Sequence, residues 1–149
     1  MSLEQQAVAA LQLVVAAFLS LVIGLERERR QRPAGLRTHM LVGLGSCLFT
    51  VLSLYAFPGA DRARIASNIV VGIGFLGAGT IIQHKRTVHD LTTAASIWAT
   101  AAMGMAVGAG AWLLALSATV TIWIVLAVIR RFEPEKVHPA PDDEIAGGG

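Results

Sequence analysis

The stretch "GIGFLGAG" at residues 72–79 sets glycines at Gly72, Gly74 and Gly77, the Gly-x-Gly-x-x-Gly spelling of a dinucleotide-binding loop. That loop has meaning only after a strand, at the opening of a helix, in a βαβ unit with an acidic residue about 20 positions on. Here the glycines lie inside a run from 65 to 83 that holds no Asp, Glu, Lys or Arg. No βαβ pattern surrounds them, and no lysine follows in Walker spacing. The phosphate reading loses its context, and the charge-free run becomes the signal to follow outward.

Similar runs fill the chain. Residues 7–24, 38–57 and 65–83 are each 18–20 residues long without charge, and 91–129 holds 39 more, interrupted by the turn "GAGA" at 108–111. A helix needs roughly 20 apolar residues to cross a bilayer, so the fourth run is long enough for two crossings. Only 15% of the 149 residues are charged, against about 25% in soluble domains. The pattern predicts an all-α polytopic membrane protein with five transmembrane helices, at about 5–24, 38–57, 65–83, 91–108 and 111–129. A cleaved leader is the alternative for the first, but "MSLEQQ" lacks the basic start that a leader wants. The tail at 132–149, rich in Pro, Gly and acid, reads as a disordered cytoplasmic segment. Cys47, the one cysteine, falls within the second span and reads as a small packing residue.

Basic residues orient the chain. Arg27, Arg29, Arg30, Arg32 and Arg37, then Lys85 and Arg86, then Arg130, Arg131 and Lys136 fall on one side; only Arg62 and Arg64 fall on the other. Positive charge is retained in the cytoplasm, so the N-terminus is expected outside and the C-terminus inside. The same arginines need no nucleic acid to explain them.

Within a membrane helix, glycines let backbones approach where lipid removes the hydrophobic drive. At about 100° per residue, Asn68, Gly72 and Gly79 share one face of the third helix, while Gly74, Gly77 and Ala78 share roughly the opposite one. Small residues on two faces predict that this helix is central. In the fourth, Thr92, Ser96, Thr100, Gly104 and Gly108 recur every four residues, a row suited to close helix crossing. A polar path past Asn68, Thr92, Ser96 and Thr100 is the functional alternative. The fifth helix, bulkier, with Trp112 near one end and Trp123 deeper, reads as lipid-facing.

The polar residues that remain gather at the cytoplasmic side. Pro33 and Gly35 shape the first connection. Glu26 is expected to pair with Arg29, Arg30 or Arg37, with Thr38 and His39 nearby, and Asp90 to cap the fourth helix. Offset by 55 residues, Gly24 falls on Gly79, Leu36 on Leu91 and Thr38 on Thr93. This weak repeat is compatible with two related halves or with chance. No charged side chain falls at the centre of a span, where an ion pathway would ordinarily place one.

These blocks carry a resemblance. "GLERERR" at 24–30, "RPAGLRTHMLVGLGS" at 32–46, "DRARIASNIVVGIGFLGAGTII" at 61–82 and "LTTAASIWATAAMGMAVGAG" at 91–110 resemble, in order, the MgtC/SapB family of bacterial inner-membrane proteins. The resemblance implies a five-helix membrane domain, a link to growth at low magnesium and to survival inside host cells, and no enzymatic activity or cofactor. Many members are labelled magnesium transporters, although transport is not an established role of the family. Two departures stand out: Asp90 precedes "LTT" where members commonly have Gly, and the tail is shorter than the soluble cytoplasmic domain of longer members. The expected function is a regulatory or interaction protein acting through helix contacts with itself or other inner-membrane proteins. The alternative is a small oligomeric ion transporter. The Gly104–Gly108 row nominates the fourth helix as the interface of a homodimer.

Overall fold

A computed structural model describes residues 1–57, 59, 61–84 and 87–129; the expected disordered tail and the basic residues Lys85, Arg86, Arg130, Arg131 and Lys136 lie outside them. Five helices follow in order: α1 (Leu3–Arg29), α2 (Leu36–Tyr55), α3 (Arg62–Thr80), α4 (Leu91–Gly108) and α5 (Trp112–Ala127). The first four are long and apolar enough to cross a membrane, and α5 is a shorter apolar helix. The chain is an all-α, multi-pass membrane protein. One small departure interrupts the pattern: β1 (Ile82–His84) and β2 (Thr87–His89) pair antiparallel, with Gln83 opposite Val88. The third helix accordingly stops at Thr80 instead of running to 83.

Helix starts follow local chemistry. Ser2 Oγ accepts from the Gln5 N–H at 3.2 Å, and Gln5 Oε1 accepts from the Ser2 N–H at 2.9 Å, a reciprocal cap that opens α1. Asp61 caps α3 through the Ala63 N–H at 2.9 Å. Along α1, Ala9, Gln12, Ala16, Ser20, Ile23 and Arg27 form one buried stripe, while Leu11, Val14 and Phe18 point outward. In lipid that outward face needs no cover.

The centre of the bundle is α4, which packs against each of the other four helices. This corrects the expectation that α3 is central. A Cβ added at Gly72, Gly74 or Gly79 would meet nothing within 4 Å, and Gly77 alone touches α4, at Ala94. Glycines permit a close approach; they do not supply the neighbour.

The row on α4 is filled within the chain. A Cβ on Gly104 would lie 3.0 Å from Gly43 Cα and nearer still to the Gly43 carbonyl oxygen. One on Gly108 would lie 2.6 Å from the Cys47 carbonyl oxygen. Ser96 and Thr100 are buried in the same seam, whereas Thr92 is exposed. The choice of this row as a surface for a second copy is therefore corrected: α2 occupies it.

Helix α5 presents Leu113, Leu116, Val120 and Trp123 outward and buries Ala115, Thr119 and Leu126. Its expected lipid-facing character agrees with this exposure, and Trp123 belongs to the outward face.

Gly104→Ala should lower unfolding free energy by about 1–3 kcal/mol, because the α2 backbone has no room to yield. Gly72→Ala, Gly74→Ala and Gly79→Ala should keep or raise stability, since each removes helix-destabilising glycine from open space. Denaturant unfolding of the four variants in one detergent measures the contrast. An unaltered Gly104→Ala midpoint would contradict the backbone contact.

Candidate functional site

The polar residues assemble where α1, the first connection, α2 and α4 meet. Helix α1 continues past Gly24, where a span of 5–24 would have ended, so Glu26 and Arg27 stay on its buried stripe. Gly24 makes this possible by closeness rather than by ending the helix. A Cβ there would stand 2.8 Å from Leu36 Cα at the start of α2.

Glu26 accepts from Arg27 Nη1 at 3.3 Å and also pairs with Arg30, one helical turn along. Its expected link to Arg30 is thus present, and the link to Arg37 is not: the ion pairs among the described residues join Glu26 to Arg27 and Arg30, and Arg32 to Asp90. Arg37 and Thr38 are exposed on the first turn of α2. The reason is rotational. Position 39 faces the bundle, which turns 37 and 38 away from it.

Helix α2 has glycine at its N-cap and no cap from its own side chain. Glu28 supplies one from α1, its Oε2 accepting from the Leu36 N–H at 2.9 Å. The carboxylate also sits at the positive end of the helix dipole. A Cβ on Gly35 would strike that carboxylate, so a side chain there would have to displace the Glu28 cap.

His39 is fully buried. Its Nδ1 lies 2.9 Å from the Gly35 carbonyl oxygen and its Nε2 lies 3.1 Å from Ser96 Oγ on α4. With Nδ1 donating to Gly35, Nε2 of a neutral ring is an acceptor. The single Ser96 hydroxyl proton then has two acceptors, His39 Nε2 and the Thr93 carbonyl at 2.8 Å. The imidazole ties the start of α2 to the first turns of α4.

Asp90 occupies the N-cap position of α4 but makes no side-chain bond to the helix backbone. Its Oδ1 instead accepts from Thr93 Oγ1 at 3.3 Å and lies 3.9 Å from Arg32 Nη1. This corrects the expected cap. The cause is in the backbone: Asp90 has φ +64° and ψ 20°, the left-handed region. Glycine enters it freely and Asp tolerates it better than most residues. The same geometry would suit glycine and still admits Asp.

The proposed polar path is not brought together. Ser96 and Thr100 donate to the carbonyls of Thr93 and Ser96, each at 2.8 Å. Thr92 faces outward, and Asn68 lines a separate groove between α2 and α3. Among the described residues no three His, Cys, Asp or Glu side chains group as metal ligands.

Sequence reading missed Gln12, Arg27, Glu28 and Arg32. Gln12 is buried deep in α1, and its amide donates to the carbonyls of Val107 at 3.1 Å and Gly108 at 3.2 Å. These are last-turn carbonyls of α4, and that of Val107 also accepts from the Gly110 N–H at 2.9 Å. A lone amide in a charge-free run was the available signal.

Glu26→Gln should cost about 3 kcal/mol, chiefly by leaving Arg27, which is 2% exposed, without its carboxylate. The Arg30 pair adds little, because that side chain is one-third exposed and screened. Arg37→Gln should change stability by less than about 0.5 kcal/mol. At the α4 start, Asp90→Ala should cost about 1–2 kcal/mol for its left-handed backbone, and Asp90→Gly should recover most of it. Thermal unfolding of the detergent-solubilised variants tests both contrasts; equal losses in Glu26→Gln and Arg37→Gln would refute the first.

Residues 13–134 match the model of the MgtC family. The chain is 43% identical over 129 residues to a protein of Escherichia coli (strain K12) named "Putative magnesium transporter YhiD", covering 81% of this chain and 60% of that one. It is 40% identical over 131 residues to Protein MgtC of Salmonella typhimurium (strain LT2), covering 88% of this chain and 56% of that one. Protein SrpB of Synechococcus elongatus is 40% identical over 136 residues, covering 82% of this chain and 75% of that protein. The chain thus spans about 60% or less of the YhiD and MgtC chains. No solved structure matches it. With most of its length matched, from α1 through α5, this chain belongs to the MgtC family.

Proposed function

We propose that this protein is an inner-membrane component of magnesium and envelope homeostasis that acts through contacts within the membrane. In this reading all five helices cross, with the N-terminus outside and the basic end of α1 and α2 in the cytoplasm. The magnesium link draws on relatives whose names carry it. The observation that carries the mode of action is the filled seam of α4. The hydroxyls of Ser96 and Thr100 bond to carbonyls of their own helix, and Gly104 and Gly108 are packed by α2. A row used in this way holds helices together and offers little to a passing ion.

Contacts with other chains then fall to the outward faces. Val71, Gly74, Phe75 and Ala78 share one face of α3 and are all exposed. Gly74 has open space where another backbone could approach. We place the homodimer contact there instead of on α4.

Two measurements test the reading. Purified protein in liposomes with an entrapped magnesium dye should leak no faster than empty vesicles. Saturable, ion-selective flux abolished by Thr100→Val, which removes the hydroxyl and keeps the shape, would replace the proposal with transport. Separately, light scattering corrected for detergent should find a wild-type dimer and a folded Gly74→Leu monomer. A monomeric wild type would refute the dimer.

A further inference from the structure

A groove of about 1080 Å³ runs between α2 and α3, and nothing in the mechanism of packing described above uses it. Its walls are apolar, with Leu41, Phe49, Ile69, Ile73 and Leu76 among them, and Arg37 and Thr38 stand at one mouth. Two glycines, Gly45 on α2 and Gly72 on α3, line it, and a Cβ on either would enter open space. The groove is therefore an unfilled slot, wide because its lining side chains are missing.

Charge and length together select an occupant. Arg37 is exposed, lies on the side of the basic residues, and takes part in none of the ion pairs among the described residues. A guanidinium at a lipid head-group level matches a phosphate in a two-pronged geometry, and anionic head groups concentrate in the cytoplasmic leaflet. From Arg37 to Ser46 is about 14 Å of helix, close to half of the roughly 30 Å hydrocarbon core. That distance suits one acyl chain lying beneath its own head group.

We propose that the α2–α3 groove holds one anionic phospholipid of the cytoplasmic leaflet, its phosphate on Arg37 and an acyl chain between Gly45 and Gly72. The assignment rests on the proposed orientation of the chain but not on whether the protein conducts ions. Arg37 acquires a role that the ion-pair network does not give it. Occupation would also brace α3, which packs on the bundle from one side only.

The test is native mass spectrometry of the full chain released from nanodiscs of phosphatidylcholine containing phosphatidylglycerol. One phosphatidylglycerol per protomer should be retained in preference to phosphatidylcholine. Arg37→Gln should weaken retention about tenfold, as expected for the loss of one charged hydrogen-bonding partner. Gly72→Leu should abolish it by filling the slot. Arg29→Gln, also exposed, and Gly79→Leu, open but outside the groove, should retain the lipid as wild type does; both controls also report folding. Equal losses in Arg37→Gln and Arg29→Gln would reduce the effect to general surface charge and overturn the site. If Gly72→Leu instead converts a dimer to a monomer with lipid retention unchanged, the groove belongs to a second copy and the proposal fails. A flux result of either sign leaves this comparison intact.

Discussion

Gly104 on α4 faces the backbone of Gly43 on α2, and the next turn repeats the contact with Gly108 against Cys47. Lipid is as apolar as any leucine, so no hydrophobic gain draws two membrane helices together, and packing at van der Waals distance has to supply the attraction. With α2 seated this closely, α4 is also reached by α1, α3 and α5, while its face of Ala95, Trp98 and Ala102 stays outward. The buried hydroxyls of Ser96 and Thr100 bond to carbonyls of their own helix, and Ser96 also meets His39 Nε2 of α2. Gln12 reaches across from α1 to the last-turn carbonyls at the end of the same helix. The seam thus decides both which helix is central and what its polar residues can do.

At the other end of α4 the connections are polar. Glu28 caps α2 from α1, His39 reaches Ser96, and Arg32 reaches Asp90. The His39 and Arg32 links join segments far apart in the chain, whereas Glu28 reaches only across the first connection. Buried polar groups at the end of a membrane bundle are expensive unless satisfied. Glu26 and Arg27 offset part of that cost by pairing with each other on a helix that overshoots the apolar run. The first connection is consequently less a loop than an extension of α1 clasped to the starts of α2 and α4.

Helix α3 stands apart from this arrangement. It carries the glycine-rich stretch, yet most of its small residues face open space. Its two exposed sides differ in chemistry. The side toward α2 forms an apolar slot with a cation at its mouth, and the side bearing Gly74 and Phe75 is exposed and apolar. One suits a lipid and the other a helix, so a single peripheral helix can serve both purposes without disturbing the seam at the centre.

The sequence by itself determined the membrane class, the number of helices and most of their limits. Charge-free runs near 20 residues answer to bilayer thickness alone, and α4 begins and ends where its run predicted, at Leu91 and Gly108. It also brought forward Glu26, His39, Ser96 and Asp90, because polar residues near the ends of apolar runs are few. Only the tertiary structure decided their partners. The helical wheel gives the face on which a residue lies but not the neighbour opposite, so Gly72 and Gly104 looked alike although one meets space and the other a backbone. Arg37 lay beside Glu26 in the motif and turned away from it in space, because burial of His39 fixes the rotation of α2. The left-handed backbone at Asp90, too, belongs to the folded structure and not to any motif in the sequence.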